Sequence, residues 1–347
     1  MANDTAPNIT AAAEVVARPP RFRAPRAEGL IDVSVCVVNW NCRDLLGDCL
    51  ESLLHRPQGV RVEVVVVDNA STDGAADMVA EEFPEAVLLR NGSNAGFARA
   101  NNQAAARARG RYLFFLNNDT LVPPLALKRL LDFAEANPYV GMIGPRLRGG
   151  DGQFQASYRP RPTLGALLHR TLLLRPTGLF RRAYRHHRRE EFDPHRRRHV
   201  ETLMGAALFL RREVFRRCGP WDEEFTFGAE DLHFSDRVGR HHPLLFLPDV
   251  EITHYGGVST RRHMNYVTAA RATGLVQYLR KSGYPPAALF AYKLAVTLDV
   301  PVQLAVRGLQ YLSRRLRGPS PHARRALRAW KGARHFLTRG LVPFWKA

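Results

Sequence analysis

Residues 62–69 read VEVVVVDN, a nearly continuous run of apolar β-branched residues that stops at Asp68 and Asn69. A strand that is apolar at almost every position is typical of a parallel sheet covered by helices on both faces. Similar runs at 33–38 and 86–89 flank it, and segments with helical spacing separate the three. The sequence therefore predicts a βαβαβ unit at the start of an α/β domain.

The same alternation continues downstream of this unit. Residues 97–109 are Ala-rich and predict a helix, and the apolar run 112–116 predicts a fourth strand. Strands that alternate with helices favour a Rossmann-like, mostly parallel sheet flanked by helices. Ligands of such sheets bind beyond the carboxyl ends of the strands, so we expect the functional site at that edge.

Polar residues and glycine follow the carboxyl ends of the four predicted strands. These candidate ligand-binding residues are Asn39, Asn41, Asp68, Asn94, Gly96, Asn117, Asn118 and Asp119. Each of them alone is as easily an ordinary turn or helix cap. Their succession at one edge of one sheet indicates a bound ligand.

The residue types at this edge suit a nucleoside diphosphate. A carboxylate such as Asp68 can accept hydrogen bonds from a uracil or thymine N3–H or from a ribose hydroxyl. Gly96 allows the backbone to approach a pyrophosphate closely. Asp119 would hold a hard cation, Mg²⁺ or Mn²⁺, that bridges the two phosphates, with other groups completing its ligands.

The charge of the chain predicts an anionic partner. Its 347 residues contain 51 Lys and Arg against 32 Asp and Glu, a formal net charge of +19. Eleven Lys or Arg and no acid lie between Val300 and Ala347, interleaved with aromatic residues such as Trp330 and Trp345. This pattern is typical of segments that lie on anionic lipid headgroups, so it favours a membrane surface over nucleic acid.

Basic residues also crowd 181–199, which holds eight Arg and four His. Only Glu190, Glu191 and Asp193 oppose them there. Because runs of like charge are usually exposed, this pattern favours a solvated loop over an anion-binding lid.

Composition divides the chain into three predicted segments. Residues 1–30 mix Pro and Arg, lack the apolar core of a signal peptide and predict a disordered leader. Residues 31–283 carry the α/β pattern, and 284–347 predict a basic amphipathic helical tail. Polar residues recur on one face of 287–316 and its uncharged stretch is short, so we expect an interfacial helix rather than a transmembrane span. The four cysteines form no CxxC pair and have no zinc-site spacing, which fits a reduced cytoplasmic setting. Together with the basic tail, this predicts a cytoplasmic protein that lies peripherally at the inner face of the plasma membrane.

Four segments resemble, in order, motifs of the family 2 glycosyltransferases with a GT-A fold, particularly the bacterial rhamnosyltransferase-like branch. They are VSVCVVNWNC (33–42), VVVVDNASTDG (64–74), NGSNAGFARANNQA (91–104) and LFFLNNDT (113–120). The resemblance implies that the edge residues from Asn39 to Asn118 bind a nucleotide-sugar. It also implies that Asp119 ligates a divalent cation, with Asn117 in place of the first acid of the usual acidic triplet.

A later segment, GAALFLRREVFRRCGPWDEEFTFGAEDLHFSDRV (205–238), resembles the acceptor side of the same family. The resemblance implies that Asp231 is the general base and that Glu230 and Trp221 shape the acceptor pocket. Adjacent carboxylates also suit a base, because their mutual repulsion can raise one pKa. The alternative is a helix N-terminus that merely favours acids.

The segment ITHYGGVST (252–260) is similar to the last metal motif of the family. By that resemblance His254 is a second ligand of the cation, beside Asp119. A lone His is more often structural than a ligand, so the structural alternative stays open.

Together these observations predict an inverting, metal-dependent hexosyltransferase. The resemblance suggests dTDP-L-rhamnose as the donor and a UDP-sugar as the second choice. The basic tail suggests a polyprenyl-linked glycan of the cell envelope as the acceptor. Two alternatives stay open: a non-catalytic module that binds sugar nucleotides, which Asn117 would allow, and a nucleic-acid-binding protein, which would need a recognition motif that the sequence lacks.

Overall fold

Four parallel strands in the spatial order β3-β2-β1-β4 form the first half of the central sheet in this computed structural model. They are β1 (Val33–Asn39), β2 (Val62–Asp68), β3 (Val87–Arg90) and β4 (Tyr112–Asn117). The helices between them are α1 (Arg43–Leu54), α2 (Ala75–Glu82) and α3 (Phe97–Arg107). Val35 and Val37 of β1 enter one apolar core and Cys36 enters another. The sheet is therefore buried on both faces, as its apolar runs predict.

The structure describes residues 30–188, 193–225, 227–256, 264–316, 318 and 320–347. The predicted leader at 1–30, apart from Leu30, lies outside the described residues. Part of the basic run and the end of the ITHYGGVST segment, 257–260, lie outside them as well.

The second half of the sheet adds antiparallel strands, so the α/β fold class is confirmed with a mixed sheet. The further strands are β5 (Thr120–Leu121), β6 (Met142–Arg148), β7 (Phe154–Gln155), β9 (Arg198–Val200), β11 (Ala207–Arg211) and β12 (Leu244–His254), while β8 (Tyr158–Arg159) and β10 (Thr202–Leu203) form a separate pair. β11 lies antiparallel between β4 and β6. Because it runs opposite to β4, its first residue, Ala207, pairs with Leu116 near the end of β4. The chain that enters β11 therefore reaches the carboxyl edge of the sheet.

A short antiparallel contact brings the end of β12 to the end of β4. β5 follows β4 closely and pairs with β12, so that His254 lies opposite Thr120. The backbone N–H of Tyr255 also donates to the carbonyl oxygen of Asp119 at 2.9 Å. Two residues distant in sequence, Asp119 and His254, thus become neighbours.

The helices of the second half are α4 (Ala126–Ala136), α5 (Leu164–His169), α6 (Arg181–Arg188), α7 (Arg212–Cys218) and α8 (Glu230–Gly239), with a 3₁₀ turn at Arg175–Thr177. The prediction of a loop at 181–199 is wrong for 181–188, which form α6, and for the start of β9 at 198–199, whereas 193–197 lie outside any helix or strand. The prediction of solvent exposure is confirmed for most of α6. α6 is fixed to the domain because His187 is buried and its Nδ1 lies 3.1 Å from the carbonyl oxygen of Pro160.

The C-terminal helices pack on the second half of the domain. They are α9 (Met264–Lys281), α10 (Pro286–Arg315), α11 (Pro321–His335) and α12 (Leu341–Lys346), with a π-helical turn at Phe336–Gly340. Leu167 of α5, Val276 of α9, Val300 of α10 and Phe344 of α12 share one apolar core. Ile31–Ala347 therefore form one compact unit.

Among the described residues, α10 is long and apolar enough to cross a membrane, judged by length and composition alone. This differs from our expectation that its uncharged stretch is too short for a span. The middle of α10 nevertheless packs against the rest of the protein. Asp299 is fully buried there and accepts a hydrogen bond from the backbone N–H of Leu173 at 2.7 Å. The side-chain amide of Gln303 donates to the same carboxylate at 2.6 Å.

Candidate active site

A hydrogen-bond network centred on Asn39 links the carboxyl ends of three parallel strands. Asn39 is fully buried and donates from Nδ2 to Asp68 Oδ2 at 3.0 Å and to Ser71 Oγ at 3.2 Å. Its Oδ1 accepts a hydrogen bond from Asn118 Nδ2 at 2.6 Å. The structure thus brings three predicted residues, Asn39, Asp68 and Asn118, together at one edge.

Asn41 holds the loop that follows β2. Its backbone is left-handed, with φ of 51°, a conformation that Asn tolerates better than most residues. Its Oδ1 accepts a hydrogen bond from the backbone N–H of Thr72 at 2.8 Å, and its own N–H donates to Ser71 Oγ at 2.9 Å. The side chain of Asn41 therefore positions the loop at the candidate site.

Gly96 opens α3 with a φ of 84°, in the region that favours glycine. Its N–H donates to Oδ1 of the exposed Asn94 at 3.0 Å, and its carbonyl oxygen accepts from Asn69 Nδ2 at 3.3 Å. Asn69 Oδ1 in turn accepts from Asn91 Nδ2 at 2.8 Å. Asn69 and Asn91 therefore belong to the hydrogen-bond network at the carboxyl edge of the sheet. Sequence reasoning left them out of the candidate residues, although Asn69 directly follows Asp68.

Asp119 and His254 form the pair that the sequence predicts as metal ligands. Asp119 Oδ1 lies 3.3 Å from His254 Nε2, and both side chains are buried. Asn117 Nδ2 lies 3.3 Å from the same ring nitrogen. These three predicted residues therefore meet at the end of β4.

Gln155, on β7, fixes the orientation of His254, and sequence reasoning missed it. Its Nε2 donates to the carbonyl oxygen of His254 at 2.8 Å, which leaves its Oε1 to accept from the ring Nδ1 at 2.7 Å. In a neutral imidazole only one nitrogen carries hydrogen, so Nε2 keeps its lone pair on the side of Asp119. An outer partner of this kind holds a ligating histidine in its metal-binding tautomer.

The donor set fits a hard divalent cation that a phosphate-bearing ligand helps to hold. Within the described part of the chain, no group of three or more His, Cys, Asp or Glu side chains converges on one point. Mg²⁺ is usually bound by only one or two carboxylates, together with substrate phosphates and water. One carboxylate from Asp119 and one imidazole from His254 match that arrangement when phosphate oxygens complete it.

Asp231 is anchored to this edge by the chain that enters β11. Its Oδ2 accepts a hydrogen bond from the backbone N–H of Gly205 at 3.2 Å. The carbonyl oxygen of the next residue, Ala206, accepts from the backbone N–H of Asn117 at 2.9 Å. Two successive backbone contacts therefore connect the predicted base to the end of β4.

Glu230 precedes Asp231 in the first turn of α8 and has an unusual environment. Burial, followed by the charge of Asp231, raises the pKa of Glu230 to about 8. Its Oε2 is buried and has no hydrogen-bond partner among the described residues. The raised pKa of Glu230 favours its protonated form, which leaves Asp231 as the better candidate base of the pair.

Trp221, which is predicted to shape the acceptor pocket, lies inside the protein, so a role there stays a prediction. Its side chain is only 1% exposed, and its ring stacks on Phe234 with 4.5 Å between centroids. The edges of Phe97 and Phe115 complete an aromatic cluster around it. Because α8 carries both Phe234 and Asp231, Trp221 supports the helix that holds the candidate base. Its buried Nε1 has no hydrogen-bond partner among the described residues.

The fold and these contacts define a class: an α/β protein with a polar ligand site at the carboxyl edge of its sheet and a carboxylate pair beside it. The family model "Glycosyl transferase family 2" matches residues 34–219, more than half of the chain. The chain belongs to this family and is a glycosyltransferase. The matched range contains Asp119, whereas Glu230, Asp231 and His254 lie beyond it.

Two curated relatives are bacterial proteins. The chain is 30% identical over 270 residues to the N-acetylglucosaminyl-diphospho-decaprenol L-rhamnosyltransferase of Mycobacterium tuberculosis, covering 73% of this chain and 86% of the relative. It is 31% identical over 232 residues to the O-antigen biosynthesis protein RfbC of Myxococcus xanthus, covering 65% of this chain and 17% of that protein. The first similarity confirms the predicted rhamnosyltransferase-like branch.

Solved structures give more distant likenesses. A mannosyltransferase from Pyrobaculum calidifontis in complex with GDP-Man and Mn²⁺ is 22% identical, with a TM-score of 0.49 over 95% of this chain and 90% of that one. Residues 1–349 of S. aureus TarS are 17% identical, with a TM-score of 0.48 over 89% of this chain and 92% of that one.

Proposed function

We propose that this glycosyltransferase moves a sugar from a nucleoside diphosphate to a hydroxyl of a lipid-linked or cell-envelope glycan, with inversion at the anomeric carbon. The donor we favour is dTDP-L-rhamnose, followed by a UDP-linked hexose. The observation that carries this proposal is the backbone connection from Asp231 through Gly205 and Ala206 to Asn117. It sets a candidate base beside the candidate nucleotide edge.

The names of the relatives support these substrates. The Mycobacterium tuberculosis relative is named as an L-rhamnosyltransferase of N-acetylglucosaminyl-diphospho-decaprenol, a sugar joined to a lipid through diphosphate. RfbC is named for the biosynthesis of O-antigen. Family membership also favours a transferase over the nucleic-acid-binding alternative.

In the proposed step, Asp231 removes the proton from the acceptor hydroxyl as its oxygen attacks the anomeric carbon. The bond between that carbon and the phosphate oxygen breaks, and its electron pair leaves with the nucleoside diphosphate. A single displacement of this kind inverts the configuration. The backbone N–H groups of Gly205 and Leu232 hold the two oxygens of the Asp231 carboxylate, at 3.2 and 2.9 Å.

Asp119 and His254 would hold Mg²⁺ or Mn²⁺ together with phosphate oxygens of the donor. Such a cation, when bound, offsets the negative charge that develops on the leaving diphosphate. Gln155 keeps the His254 ring in the orientation that this role needs. Because Asn117 stands where an acid is usual, we expect the donor phosphates to supply much of the binding.

We further propose that the tail rests peripherally on an anionic membrane at the inner face of the plasma membrane. One face of α10 exposes large apolar side chains at helical spacing, namely Phe290, Leu294, Leu298, Leu309 and Leu312, and the exposed Leu316 follows directly after the helix. The cations between Val300 and Ala347, with no acid among them, complement anionic headgroups. The bond between Asp299 and Leu173 keeps α10 against the domain, which favours a peripheral arrangement over a span.

Release of nucleoside diphosphate tests the transfer, with dTDP- and UDP-sugars, Mn²⁺ or Mg²⁺ and a lipid-linked acceptor extract. We expect one donor to turn over and Asp231→Asn to lower the rate by about 10²–10⁴-fold, the usual contribution of a general base. Asp249→Asn is the matched control, because Asp249 is an exposed carboxylate paired with Arg197. It should leave the rate unchanged.

Three other outcomes of this assay would count against the proposal. Equal rates for Asp231→Asn and the unaltered protein would remove Asp231 as the base. Donor binding without turnover in either protein would favour the non-catalytic module. If no donor binds, the proposed substrates are wrong.

Flotation with liposomes of rising anionic lipid content tests the tail. We expect binding to increase with anionic lipid, to weaken with salt and to fall in Leu298→Asp, whose side chain is 54% exposed. Tyr139→Asp is the control, because Tyr139 is 57% exposed and lies outside the tail. Binding that persists in high salt and alkali would favour a spanning α10. Liposome binding that changes neither with anionic lipid content nor in the Leu298→Asp variant would contradict the membrane proposal.

A further inference from the structure

Two arginines, Arg159 of β8 and Arg271 of α9, lie beside the chain segments that carry Glu230 and Asp231. Two exposed arginines, Arg170 after α5 and Arg188 at the end of α6, add positive charge near them, and we refer to the four as the arginine group. The charges of both acids act on Arg271, and the charge of Asp231 acts on Arg159.

Arg159 lies next to the chain that anchors Asp231. β8 pairs with β10 so that Arg159 is opposite Thr202, and its guanidinium Nη2 lies 3.6 Å from Met204 Sδ. Met204 immediately precedes Gly205, whose N–H binds Asp231. Burial lowers the pKa of Arg159, and the nearby charge of Asp231 only partly opposes that effect. A guanidinium packed on a thioether has donors left for a ligand.

Arg271 approaches the same acids from α9. Its side chain packs on Gly228, where an added Cβ would lie 2.9 Å from Arg271 Cγ, and φ is 87°. Its guanidinium lies over the ring of Phe227, 5.6 Å from the centroid. Gly228 comes two residues before Glu230, and the charges of Glu230 and Asp231 both act on Arg271. The close approach of α9 thus places this cation at the start of α8.

Arg170 and Arg188 complete the group from α5 and α6. The charge of Arg170 acts on both Arg159 and Arg271, and the charge of Arg188 acts on Arg159. Burial lowers the pKa of His187 to about 4, and the charges of Arg159, Arg170 and Arg188 add to that shift. Positive charge gathered on this side of the site favours an anionic ligand.

We infer that the arginine group binds the diphosphate of a lipid-linked acceptor and thereby presents the acceptor sugar to Asp231. This inference rests on the proposed function. A diphosphate matches several guanidinium groups because each can donate two parallel hydrogen bonds to phosphate oxygens.

The position of the arginine group favours the acceptor diphosphate over that of the donor. None of the four arginines lies on β1–β4 or α1–α3, which carry the candidate nucleotide edge. The α5–α6 segment is instead fastened to α10, through the bond between Leu173 and Asp299 and the packing of Leu167 with Val300. A lipid that lies along the exposed face of α10 would therefore have its headgroup beside this segment.

The buried oxygen of Glu230 is a second, independent observation. Glu230 Oε2 has no partner among the described residues, and in its protonated form it is a donor that can bind a phosphate or sugar oxygen. An ionised Glu230 would instead repel a diphosphate. Its protonated form is therefore the one that suits an anionic acceptor.

Equilibrium binding of farnesyl diphosphate, farnesyl monophosphate and farnesol to the full chain tests the inference. We expect the diphosphate to bind most tightly, and Arg159→Gln and Arg271→Gln each to weaken it by about tenfold, as expected for loss of a charge-assisted contact. Arg216→Gln removes an equal charge at an exposed position of α7 and should have no effect. Farnesol binding should be the same in all variants, which shows that they are folded.

Two competition measurements identify the source of the diphosphate. The farnesyl diphosphate titration is repeated with saturating dTDP or UDP and Mn²⁺, and we expect binding to persist. Displacement by the nucleotide would assign the arginines to the donor and overturn the inference. Inorganic pyrophosphate that binds as tightly as farnesyl diphosphate, with the same loss in the Gln variants, would overturn the lipid assignment.

These binding measurements do not depend on sugar transfer. If no donor turns over but farnesyl diphosphate binds through the arginines, the proposed function fails and the anion site stands. If transfer occurs but Arg159→Gln and Arg271→Gln bind farnesyl diphosphate as well as the unaltered chain, only the inference fails. The Arg271→Lys variant should restore part of the affinity, because it keeps the charge and loses the bidentate geometry.

Discussion

The two sides of the candidate site differ in how their polar groups are satisfied. On the nucleotide side, Asn39, Asp68 and Asn118 bond to one another inside the protein. On the acceptor side, Glu230 Oε2 has no hydrogen-bond partner within the described part of the chain, and the Arg159 guanidinium lies against the Met204 sulfur. The protein thus organises the nucleotide side by itself, whereas the acceptor side keeps polar groups that a ligand would satisfy.

This contrast predicts that the nucleotide side contributes mainly to the stability of the fold and the acceptor side mainly to ligand binding. A buried hydrogen bond contributes about 1 kcal/mol, and a buried group left without its partner costs about 1–3 kcal/mol. The nucleotide side therefore raises the free energy of unfolding. The acceptor side lowers it, as is common where charge is kept for function. Variants on the two sides should accordingly change different measured quantities.

The largest effect on stability is expected for Asn39→Ala, which breaks the nucleotide side. It leaves Asp68 Oδ2 and Asn118 Nδ2 without the partner they have in Asn39, so we expect the free energy of unfolding to fall by about 3 kcal/mol. Urea unfolding measures this change. Asn94→Ala is the control, because Asn94 is exposed, and it should change stability by less than about 0.5 kcal/mol. Equal losses in both variants would mean that the network stabilises nothing.

A smaller effect, on metal binding alone, is expected for Gln155→Leu. The variant frees the His254 ring to change its orientation and tautomer, so we expect Mn²⁺ affinity to fall by about 10–100-fold. Titration of free Mn²⁺ by electron paramagnetic resonance, in the presence of dTDP, measures it without requiring turnover. Gln153→Leu, an exposed neighbour on the same segment, should not change it. Unaltered Mn²⁺ affinity in Gln155→Leu would leave His254 as a structural residue.

The parallel half of the sheet could be predicted from sequence because its pattern is local. In the run at 62–69, the apolar side chains themselves indicate which residues are buried. Polar edge residues such as Asp68 or Asn118 follow directly after the strands. Parallel strands then align their carboxyl ends without further information. The meeting of Asn39, Asp68 and Asn118 follows from that alignment alone.

The other half depends on pairings between distant segments, which no local pattern encodes. Gln155 reaches His254 only because β7 and β12 both pair with β6. The burial of Trp221 could not be predicted from its own segment, because Phe234 and Phe115, which cover its ring, belong to α8 and β4. The helix at 181–188 could not be predicted from the basic run, because the run shows no apolar face and the buried residue of α6 is a histidine, His187.

The Glu230→Gln variant tests the acceptor side, because the stability of the unaltered protein should depend on pH through the Glu230 carboxyl group. The pKa of Glu230 is raised to about 8 from an ordinary value of 4.5, so the folded chain keeps a proton that the unfolded chain releases. The stability from this proton is fully present below about pH 4.5 and is lost as pH rises through about 8. Gln carries no such proton. Relative to the Gln variant, the unaltered protein should therefore lose thermal stability between pH 5 and pH 8.

The activity of the same variant should show the smallest change, confined to alkaline pH. Ionisation of Glu230 above pH 8 places a second negative charge beside Asp231, which repels an anionic acceptor. The rate of Glu230→Gln relative to the unaltered protein should therefore rise by about tenfold between pH 7 and pH 9, measured at subsaturating acceptor. Glu224→Gln is the control, because Glu224 is an exposed carboxylate paired with Arg280. A ratio that stays constant with pH would mean that ionisation of Glu230 does not affect the reaction in this range, which would contradict a role for its proton in binding the acceptor.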